Sequence, residues 1–145
     1  MLANRSMPRC TVIPVLGYSD VGQAIDWLAN AFDFTLRLRI FNHRAQLNVG
    51  DGAVVVTEQH EDDSLGSQTH RGGGPAHSVM VRIPDVDGHH ERAKQHGARI
   101  LSLPADYPYG ERQYTAEDLA GHCWTFSQSI ADIDPKEWGG TPGRI

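Results

Sequence analysis

The pattern of apolar and polar positions predicts the same order of elements twice along the chain. In the first half, an apolar stripe with helical spacing stands among segments whose apolar residues alternate, which predicts one helix and four strands. These strands are predicted at residues 11–16, 35–41, 45–49 and 53–59. The second half repeats the order, with strands predicted at residues 77–83, 98–101, 111–115 and 122–129. The pattern therefore predicts two β-α-β-β-β modules.

Both predicted helices begin after an aspartate, whose side chain can cap the free backbone N–H groups at a helix start. Asp20 stands before the first helix and Asp85 before the second, which Gly97 is expected to end. The first helix carries one apolar stripe, formed by Val21, Ala24, Ile25, Leu28, Ala31 and Phe32. We expect this stripe to cover one face of its sheet. We also expect the histidines on or near the second helix to face solvent: His89, His90 and His96.

The last predicted strand indicates which sheet face remains for a ligand. After a turn at Gly121, Trp124 and Phe126 alternate with the smaller residues Cys123, Thr125 and Ser127. The bulky side is expected to meet the core, and the small side is expected to line a cavity. Because a helix covers only one face of each sheet, the modules predict an α+β fold of two repeated β-α-β-β-β modules whose open faces form an open half-barrel cavity.

The length and composition fit one small domain. The chain has 145 residues, of which 39% are hydrophobic, an ordinary fraction for a globular protein. We predict a single domain over residues 1–145. Its predicted parts are modules at 11–59 and 77–130, a polar linker at 60–76 and a tail at 131–145, and residues 1–9 are expected to form a loose leader.

The charge and the lack of long apolar runs exclude several classes of partner. A net charge of −5, with both signs mixed along the chain, does not fit a nucleic-acid surface. No run approaches the roughly 18 apolar residues of a membrane span, so we expect no membrane partner. We see no secretion signal, and Cys10 and Cys123 are the two cysteines. We therefore expect a reduced protein of the cytoplasm.

Several short motifs occur in an order that resembles the vicinal oxygen chelate superfamily. They are Asp20 before a helix ending at Ala31 and Phe32, Asp85 before a helix ending at Gly97, Tyr109 to Arg112, and Asp118 to Trp124. Glyoxalase I, bleomycin-resistance proteins and extradiol dioxygenases belong to this superfamily, and the resemblance covers about residues 11–130. It implies a homodimer that acts on a small molecule.

The resemblance also implies where a metal would be held, on the open faces of the first and last strands of each module. Counting from the capping aspartates and the turn glycines gives Ile13, Val56, Ser78 and Thr125. Isoleucine and valine cannot coordinate a metal, and serine and threonine are poor ligands for a transition metal. By this register we expect no cofactor. A shifted register would bring in His77 and Glu58, so a divalent metal stays an alternative.

Three of these register positions, together with Arg112 after Gly110 and Tyr109 in the neighbouring loop, are candidates for ligand contacts. We predict contacts from Arg112, Tyr109, Thr125, Ser78 and Val56. Glu58 is the candidate general base or anchor for a cation, and the alternative is a carboxylate at a solvated strand end. Arg112 could bind an anionic or carbonyl group, or it could pair with Glu111, Glu117 or Asp118. Tyr109 could close over a ligand or pack locally.

Three functions follow from these readings. The first is binding of a small molecule in the sheet cavity without a metal. The alternative is a divalent-metal-dependent lyase, isomerase or dioxygenase acting on a substrate with vicinal oxygens. A third reading is a metal-free enzyme that uses Glu58 as its base.

Overall fold

The computed structural model describes residues 1–59 and 76–143. The first module contains β1 (Val15–Tyr18), α1 (Val21–Phe32), β2 (Thr35–Ile40), β3 (Arg44–Val49) and β4 (Gly52–Glu58). The second contains β5 (Val79–Arg82), α2 (Val86–Gln95), β6 (Arg99–Tyr107), β7 (Glu111–Glu117) and β8 (Cys123–Ser129), followed by a short 3-10 helix at Pro135–Trp138. The predicted linker at 60–76 lies outside the described residues, except for Ala76.

Each module forms its own four-stranded sheet, which confirms the predicted fold class. The strand orders are β1-β4-β3-β2 and β5-β8-β7-β6, with the outer pair β1-β4 or β5-β8 parallel and the other pairs antiparallel. Parallel neighbours need a crossover, which the helix after β1 or β5 begins in each module. The repeated order of elements thus produces two open sheets that are not closed into a barrel.

The largest differences from the predicted strand ranges are in β1 and β6, and each of them involves a proline. The first strand begins only at Val15, because Pro14 has no backbone N–H for the ladder, although its carbonyl accepts from the Val55 N–H at 2.8 Å. β6 runs on to Tyr107 through Pro104, where a loop was predicted. β6 is an edge strand, and its pairing with β7 shifts register between Ser102 and Ala105, so a proline is tolerated there.

The aspartate caps are confirmed at both helices. Asp20 accepts a hydrogen bond from the Gln23 N–H at 3.0 Å, and Asp85 accepts one from the Gly88 N–H at 3.1 Å. The predicted apolar stripe of α1 is confirmed, since its buried residues are Val21, Ala24, Ile25, Leu28, Ala31 and Phe32. The helix caps and the α1 stripe were thus predicted correctly.

The expectation that His89 and His90 face solvent is wrong. His90 is buried, and its ring meets the Tyr114 ring edge-on at 5.3 Å. His89 donates from Nε2 to the Phe32 carbonyl at 3.0 Å, and its Nδ1 accepts from the Tyr114 hydroxyl at 2.5 Å. The buried residues of α2 are Val86, His90 and Ala93. One of these three is a histidine, whereas the buried residues of α1 are all apolar.

Both sheets turn their helix-covered sides toward one shared core. The Phe32 ring of α1 lies 5.8 Å from Trp124 and 4.8 Å from Phe126, both on β8 of the other module. Leu16 and Val56 of the first sheet belong to the same buried cluster. The opposite faces of the two sheets therefore lie on the outside of this core. Each sheet is open as predicted, but one chain does not turn its two open faces toward each other.

A buried carboxylate links the two modules at one end of the core. Asp118, in the turn between β7 and β8, accepts hydrogen bonds from the Tyr18 hydroxyl at 2.5 Å and the Trp124 indole N–H at 3.0 Å. The backbone N–H groups of Ala120 and His122 also donate to it, at 2.9 and 3.0 Å. Four donors surround a carboxylate that is almost without solvent contact, so the group is well satisfied.

The N-terminal residues lie against the outer face of the first sheet, where a loose leader was expected. The Arg37 guanidinium donates to the carbonyls of Arg5 and Met7, at 3.1 Å each. The Gln46 side-chain amide donates to the Ser6 carbonyl at 2.9 Å. We call residues 4–10 the strap.

Candidate functional site

The outer face of the second sheet is polar and rich in small side chains. By the strand register it carries Met80, Arg82, Glu111, Gln113, Thr115, Thr125, Ser127 and Ser129, which we call the second-sheet face. Strand pairing brings residues directly opposite each other onto the same side of a sheet. The small residues predicted to share one side of the last strand, Cys123, Thr125 and Ser127, thus lie on the outer face. Trp124 and Phe126 lie in the core.

A chain of hydrogen bonds crosses this face and ends at Glu111. The Tyr109 hydroxyl donates to the Gln113 side-chain oxygen at 3.2 Å. Gln113 donates from Nε2 to the Ser127 hydroxyl at 3.0 Å, and that hydroxyl donates to the Glu111 carboxylate at 2.7 Å. Every donor in the chain points toward Glu111, so the network holds its carboxylate in one position.

The surroundings of Glu111 favour its ionised form. Hydrogen bonds from the Ser129 and Ser127 hydroxyls lower the pKa of the Glu111 carboxyl, and the Arg82 charge lowers it further. Partial burial of the carboxyl opposes this effect but does not reverse it. Glu111 is therefore an anion near neutral pH.

A concavity of about 530 Å³ lies beside Glu111, between the second sheet and the segment that follows β8. Its lining residues are Tyr109, Glu111, Ser129, Ile130, Ala131, Asp132 and Ile133. Gly110 allows the close approach of this segment, because it has a φ of +84° and an added Cβ would lie 2.3 Å from the Ala131 carbonyl oxygen. The lining combines two carboxylates with apolar side chains and contains no cationic residue.

Aromatic rings extend beyond one side of the concavity. The Tyr107 and Tyr109 rings stack with centroids 5.5 Å apart, and Trp138 meets Tyr109 edge-on at 5.5 Å. The contact of Trp138 attaches the C-terminal tail to the second module. Tyr109 thus packs locally, and its hydroxyl also belongs to the hydrogen-bond chain that ends at Glu111.

The four positions implied for a metal do not form a set of ligands. Thr125 lies on the outer face and shares a 3.2 Å hydrogen bond with Thr115, and Ser78 is an exposed residue just before β5. The expected outward placement of Val56 is wrong, because Val56 is fully buried in the core and its neighbour Val55 pairs with Val15 on the outer face. The count of four residues after the turn glycine fails in β4, because the outward residue Val55, which pairs with Val15, stands only three residues after Gly52, whereas Thr125 stands four residues after Gly121.

Glu58 and His77 do not lie together on an open sheet face, as a metal site with a shifted register would require. Glu58 pairs with Tyr18, which is buried on the helix side of the first sheet, so the expectation that Glu58 points into the cavity is wrong. Its carboxylate lies 2.9 Å from the His43 Nδ1. His77 is exposed and precedes β5 of the other sheet. Within residues 1–59 and 76–143, no group of three His, Cys, Asp or Glu could hold a metal ion. The described side chains do not fit a metal centre.

Arg112 lies on the helix side of the second sheet. It pairs across the sheet with Gln128, and its guanidinium contacts the Asp87 carboxylate of α2 at 2.9 Å and the Asp106 carboxylate at 2.9 Å. These carboxylates raise the pKa of Arg112. The predicted ion pair is present, although with acids other than the three considered. A ligand contact by Arg112 stays a prediction.

A second recess, of about 360 Å³, lies between the modules. Its lining includes Phe34, Val81, Asp85, His89 and Arg92. The Arg92 guanidinium donates to the carbonyls of Asn30 and Ala29 at the end of α1, and it contacts Asp33 at 3.1 Å. Arg92 of α2 is thus bonded at this recess to the end of α1 and to Asp33.

Sequence reasoning missed Glu111, Gln113 and Ser127 as a connected group. A signal was present, because alternation along residues 111–115 places Glu111, Gln113 and Thr115 on one side. Alternation was applied to the last strand but not to its neighbour. The pairing register that aligns Gln113 with Ser127 was needed to connect the two strands.

Comparison with known proteins agrees with this fold. The family model described as Glyoxalase/Bleomycin resistance protein/Dioxygenase superfamily matches residues 11–126. Among curated proteins, the uncharacterised protein Mb0911c of Mycobacterium bovis is 26% identical over 132 residues, which are 86% of this chain and 86% of that protein. The uncharacterised protein Rv0887c of Mycobacterium tuberculosis is also 26% identical, over 86% of this chain and 77% of its own length.

Solved structures give the same result. TioX from Micromonospora sp. ML1 is 34% identical and superposes with a TM-score of 0.66, over 86% of this chain and 100% of that chain. A glyoxalase/bleomycin resistance protein/dioxygenase family enzyme from Burkholderia phytofirmans is 16% identical, with a TM-score of 0.65 over 81% of this chain and 97% of that chain, and it supports the fold alone. With the family model matching most of its length, the chain belongs to the glyoxalase/bleomycin resistance protein/dioxygenase superfamily.

Proposed function

We propose that the protein binds a small molecule that carries an amine or another cation next to an apolar ring, on the second-sheet face and without a metal. The observation that carries this proposal is the Glu111 carboxylate, held ionised beside a concavity that also contains Asp132 and Tyr109. A carboxylate in a fixed position attracts a cation, and an aromatic ring offers a surface for stacking.

The remaining residues predicted for ligand contact divide according to face. Thr125 is on the second-sheet face and Ser78 lies just before β5, so both remain in the proposal. Val56 is in the core and is removed from it. Arg112 and Glu58 lie on the helix sides of their sheets, and no step of this proposal uses them.

The proposal also includes a homodimer located in the cytoplasm. Val15 and Met80 are 54% and 63% exposed on the outer faces of the two sheets, and Leu38 is exposed on the first. Because one chain leaves its two open faces apart, a second copy that sets its first sheet against the second sheet of its partner would enclose the concavity. None of the helices within the described residues is long and apolar enough to cross a membrane.

The test compares three probes that share a ring and differ in charge: benzylamine, benzyl alcohol and benzoate. Binding is measured by the NMR shifts of the backbone amides of β7 and β8. We expect saturable binding of benzylamine, weaker binding of benzyl alcohol and no binding of benzoate. Replacing Glu111 with glutamine should weaken benzylamine binding about five- to tenfold, since a charge-assisted hydrogen bond contributes about 1.5–3 kcal/mol when intact and part of it survives with the amide.

Glu91→Gln is the matched control, because Glu91 lies on α2 with an exposed carboxylate. This variant should bind benzylamine as the unchanged protein does, and addition of a chelator should change nothing. Benzoate binding as tightly as benzylamine, or an unaltered affinity in Glu111→Gln, would show that Glu111 does not anchor the ligand.

A further inference from the structure

We infer that the recess between the two modules is a second binding site, which takes a zwitterion with an apolar side chain, such as an apolar amino acid. This recess, of about 360 Å³, lies on the helix sides of the sheets, among the end of α1, the β3–β4 turn and the start of α2. We call it the junction recess. None of its lining residues belongs to the strap, and the site is independent of Glu111 and the concavity beside it.

Both modules supply an apolar wall to the junction recess. Phe34 and Val49 come from the first module, and Val81 and Ile83 come from the second. Phe34 and Val81 are buried, whereas Val49 and Ile83 are partly buried and pack against the shared core. Such a wall favours an aliphatic or aromatic side chain, and the volume of the recess is in the usual range for small-molecule sites.

One face of α2 carries two opposite charges along the junction recess. Asp85, His89 and Arg92 are spaced four and three residues apart, so they share one side of the helix, and all three line the recess. Asp85 and Arg92 are separated by about 10 Å along the helix axis. Burial lowers the pKa of His89, so the ring between the two charges is neutral near pH 7.

Arg92 keeps N–H groups that the end of α1 does not use. Its Nε and Nη2 groups each donate to a carbonyl of α1, and its Nη1 group contacts the Asp33 carboxylate at 3.1 Å. A guanidinium has five N–H groups, so two of them are left for the carboxylate of a ligand. The Arg92 and Asp33 side chains are 42% and 70% exposed, so solvent screens their ion pair and it competes only weakly with a ligand.

Asp85 keeps one carboxylate oxygen for the ammonium group of a ligand. Its Oδ1 accepts the capping hydrogen bond from the Gly88 N–H at 3.1 Å. Within residues 1–59 and 76–143, its Oδ2 accepts no hydrogen bond. A Cβ added at Gly88 would lie 2.4 Å from this Oδ2, so a side chain at position 88 would cover the oxygen that glycine leaves open. Gly88 itself lines the recess.

The balance of charges favours a zwitterion over a simple ion. Arg82 also lines the recess, but it belongs to the second-sheet face, where its charge favours the ionised form of Glu111. An anion alone would meet repulsion from Asp33 and Asp85, and a cation alone would leave the free N–H groups of Arg92 without an acceptor. A molecule with both charges and an apolar side chain satisfies the two ends and the wall together.

The test compares three probes with the same ring. Phenylalanine carries both charges, 3-phenylpropionate lacks the ammonium group and phenethylamine lacks the carboxylate. Binding is measured by the NMR shifts of the backbone amides of residues 32–34, 49–50 and 85–92, which surround the junction recess. We expect saturable shifts with phenylalanine and binding at least about tenfold weaker for the other two, because each lacks one charge-assisted hydrogen bond.

Two substitutions should separate the two charges. Asp85→Asn removes the carboxylate but keeps a good N-cap, so it should weaken phenylalanine binding about tenfold without weakening that of 3-phenylpropionate. Arg92→Gln should weaken binding of both probes that carry a carboxylate and leave phenethylamine binding unchanged. Asp20→Asn is the matched control, because Asp20 caps α1 in the same way and is not part of the recess lining. Thermal unfolding checks that each variant is folded.

Three results would overturn the inference. One is the absence of shifts around the junction recess with phenylalanine at up to about 10 mM. Another is binding of either singly charged probe there as tight as that of phenylalanine. The third is an equal affinity for phenylalanine in Asp85→Asn and Asp20→Asn. Shifts confined to β7 and β8 count as the first result. Glu111→Gln should leave phenylalanine binding at the recess unchanged, so failure here and failure at the second-sheet face are seen separately.

Discussion

At the scale of single residues, Asp118 is a buried group that accepts hydrogen bonds from both modules. Its carboxylate accepts from Tyr18 of the first module and from Trp124 of the second, in an almost dry setting. Burial and the neighbouring Asp118 charge raise the pKa of Tyr18 well above its usual value, so the phenol remains a donor at all ordinary pH values. A charged acceptor with four donors is costly to alter, because each lost partner leaves a buried polar group unsatisfied.

We expect Asp118→Asn to lower the free energy of unfolding by about 2–4 kcal/mol, since the amide places a donor against groups that also donate. Urea unfolding followed by tryptophan fluorescence measures it. Tyr18→Phe removes one donor and should lose about 1 kcal/mol. The exposed Asp26 provides the control, as Asp26→Asn should be close to neutral. A loss under 0.5 kcal/mol for Asp118→Asn would mean that the carboxylate does not join the modules.

At the scale of elements, the two helices meet through polar groups as well as apolar ones. His89 of α2 connects the Phe32 carbonyl at the end of α1 with the Tyr114 hydroxyl of β7. Burial lowers the pKa of His89, although the Phe32 carbonyl and the Asp33 and Asp85 charges favour its protonated form. The Arg92 charge acts in the same direction as burial. The neutral ring is therefore the form that fits the folded protein.

The sign of the pH effect follows from this shift. The pKa of His89 is lower in the folded state than the value near 6.5 in the unfolded chain, so the full stability is present above about pH 6.5 and is lost as pH falls through the folded pKa. We expect the free energy of unfolding to fall more steeply between pH 7 and pH 5 in the unchanged protein than in His89→Gln, as measured by urea titrations. Parallel pH profiles for the two proteins would assign the acid sensitivity to other groups.

Local patterns predicted most of the elements because each depends on nearby residues. The caps at Asp20 and Asp85, the stripe of α1 and the alternation around Trp124 all follow from the sequence itself. Glu58 and Val56 were assigned to faces by counting, and a shift of one residue reverses a face. The burial of His89 depends on Phe32 and Tyr114, which are distant in sequence, so no local pattern could reveal it.

At the scale of the whole molecule, the two open faces lie outside one core, and exposed apolar residues occupy both. We expect sedimentation equilibrium to give twice the 16.0 kDa mass of the chain. Met80→Asp should shift the protein to monomers, since a charge would replace an apolar residue at the proposed contact. Phe41→Asp at the β2–β3 turn, where Phe41 is 83% exposed, should leave the dimer intact. Unchanged protein that sediments as a monomer would contradict the proposed assembly.

Because the core lies between the sheets, the residues that stabilise the fold are different from the residues of the outer faces that a ligand would contact. The largest fully buried side chains, among them Trp124, Tyr18, Tyr114 and Phe32, all belong to the cluster between the sheets. Substitutions among Thr115, Thr125 and Ser129 on the outside leave that cluster untouched, and such surface changes usually alter stability by less than about 0.5 kcal/mol. A lineage with this architecture can therefore acquire a new ligand by changing its outer faces while the folding of the chain stays the same.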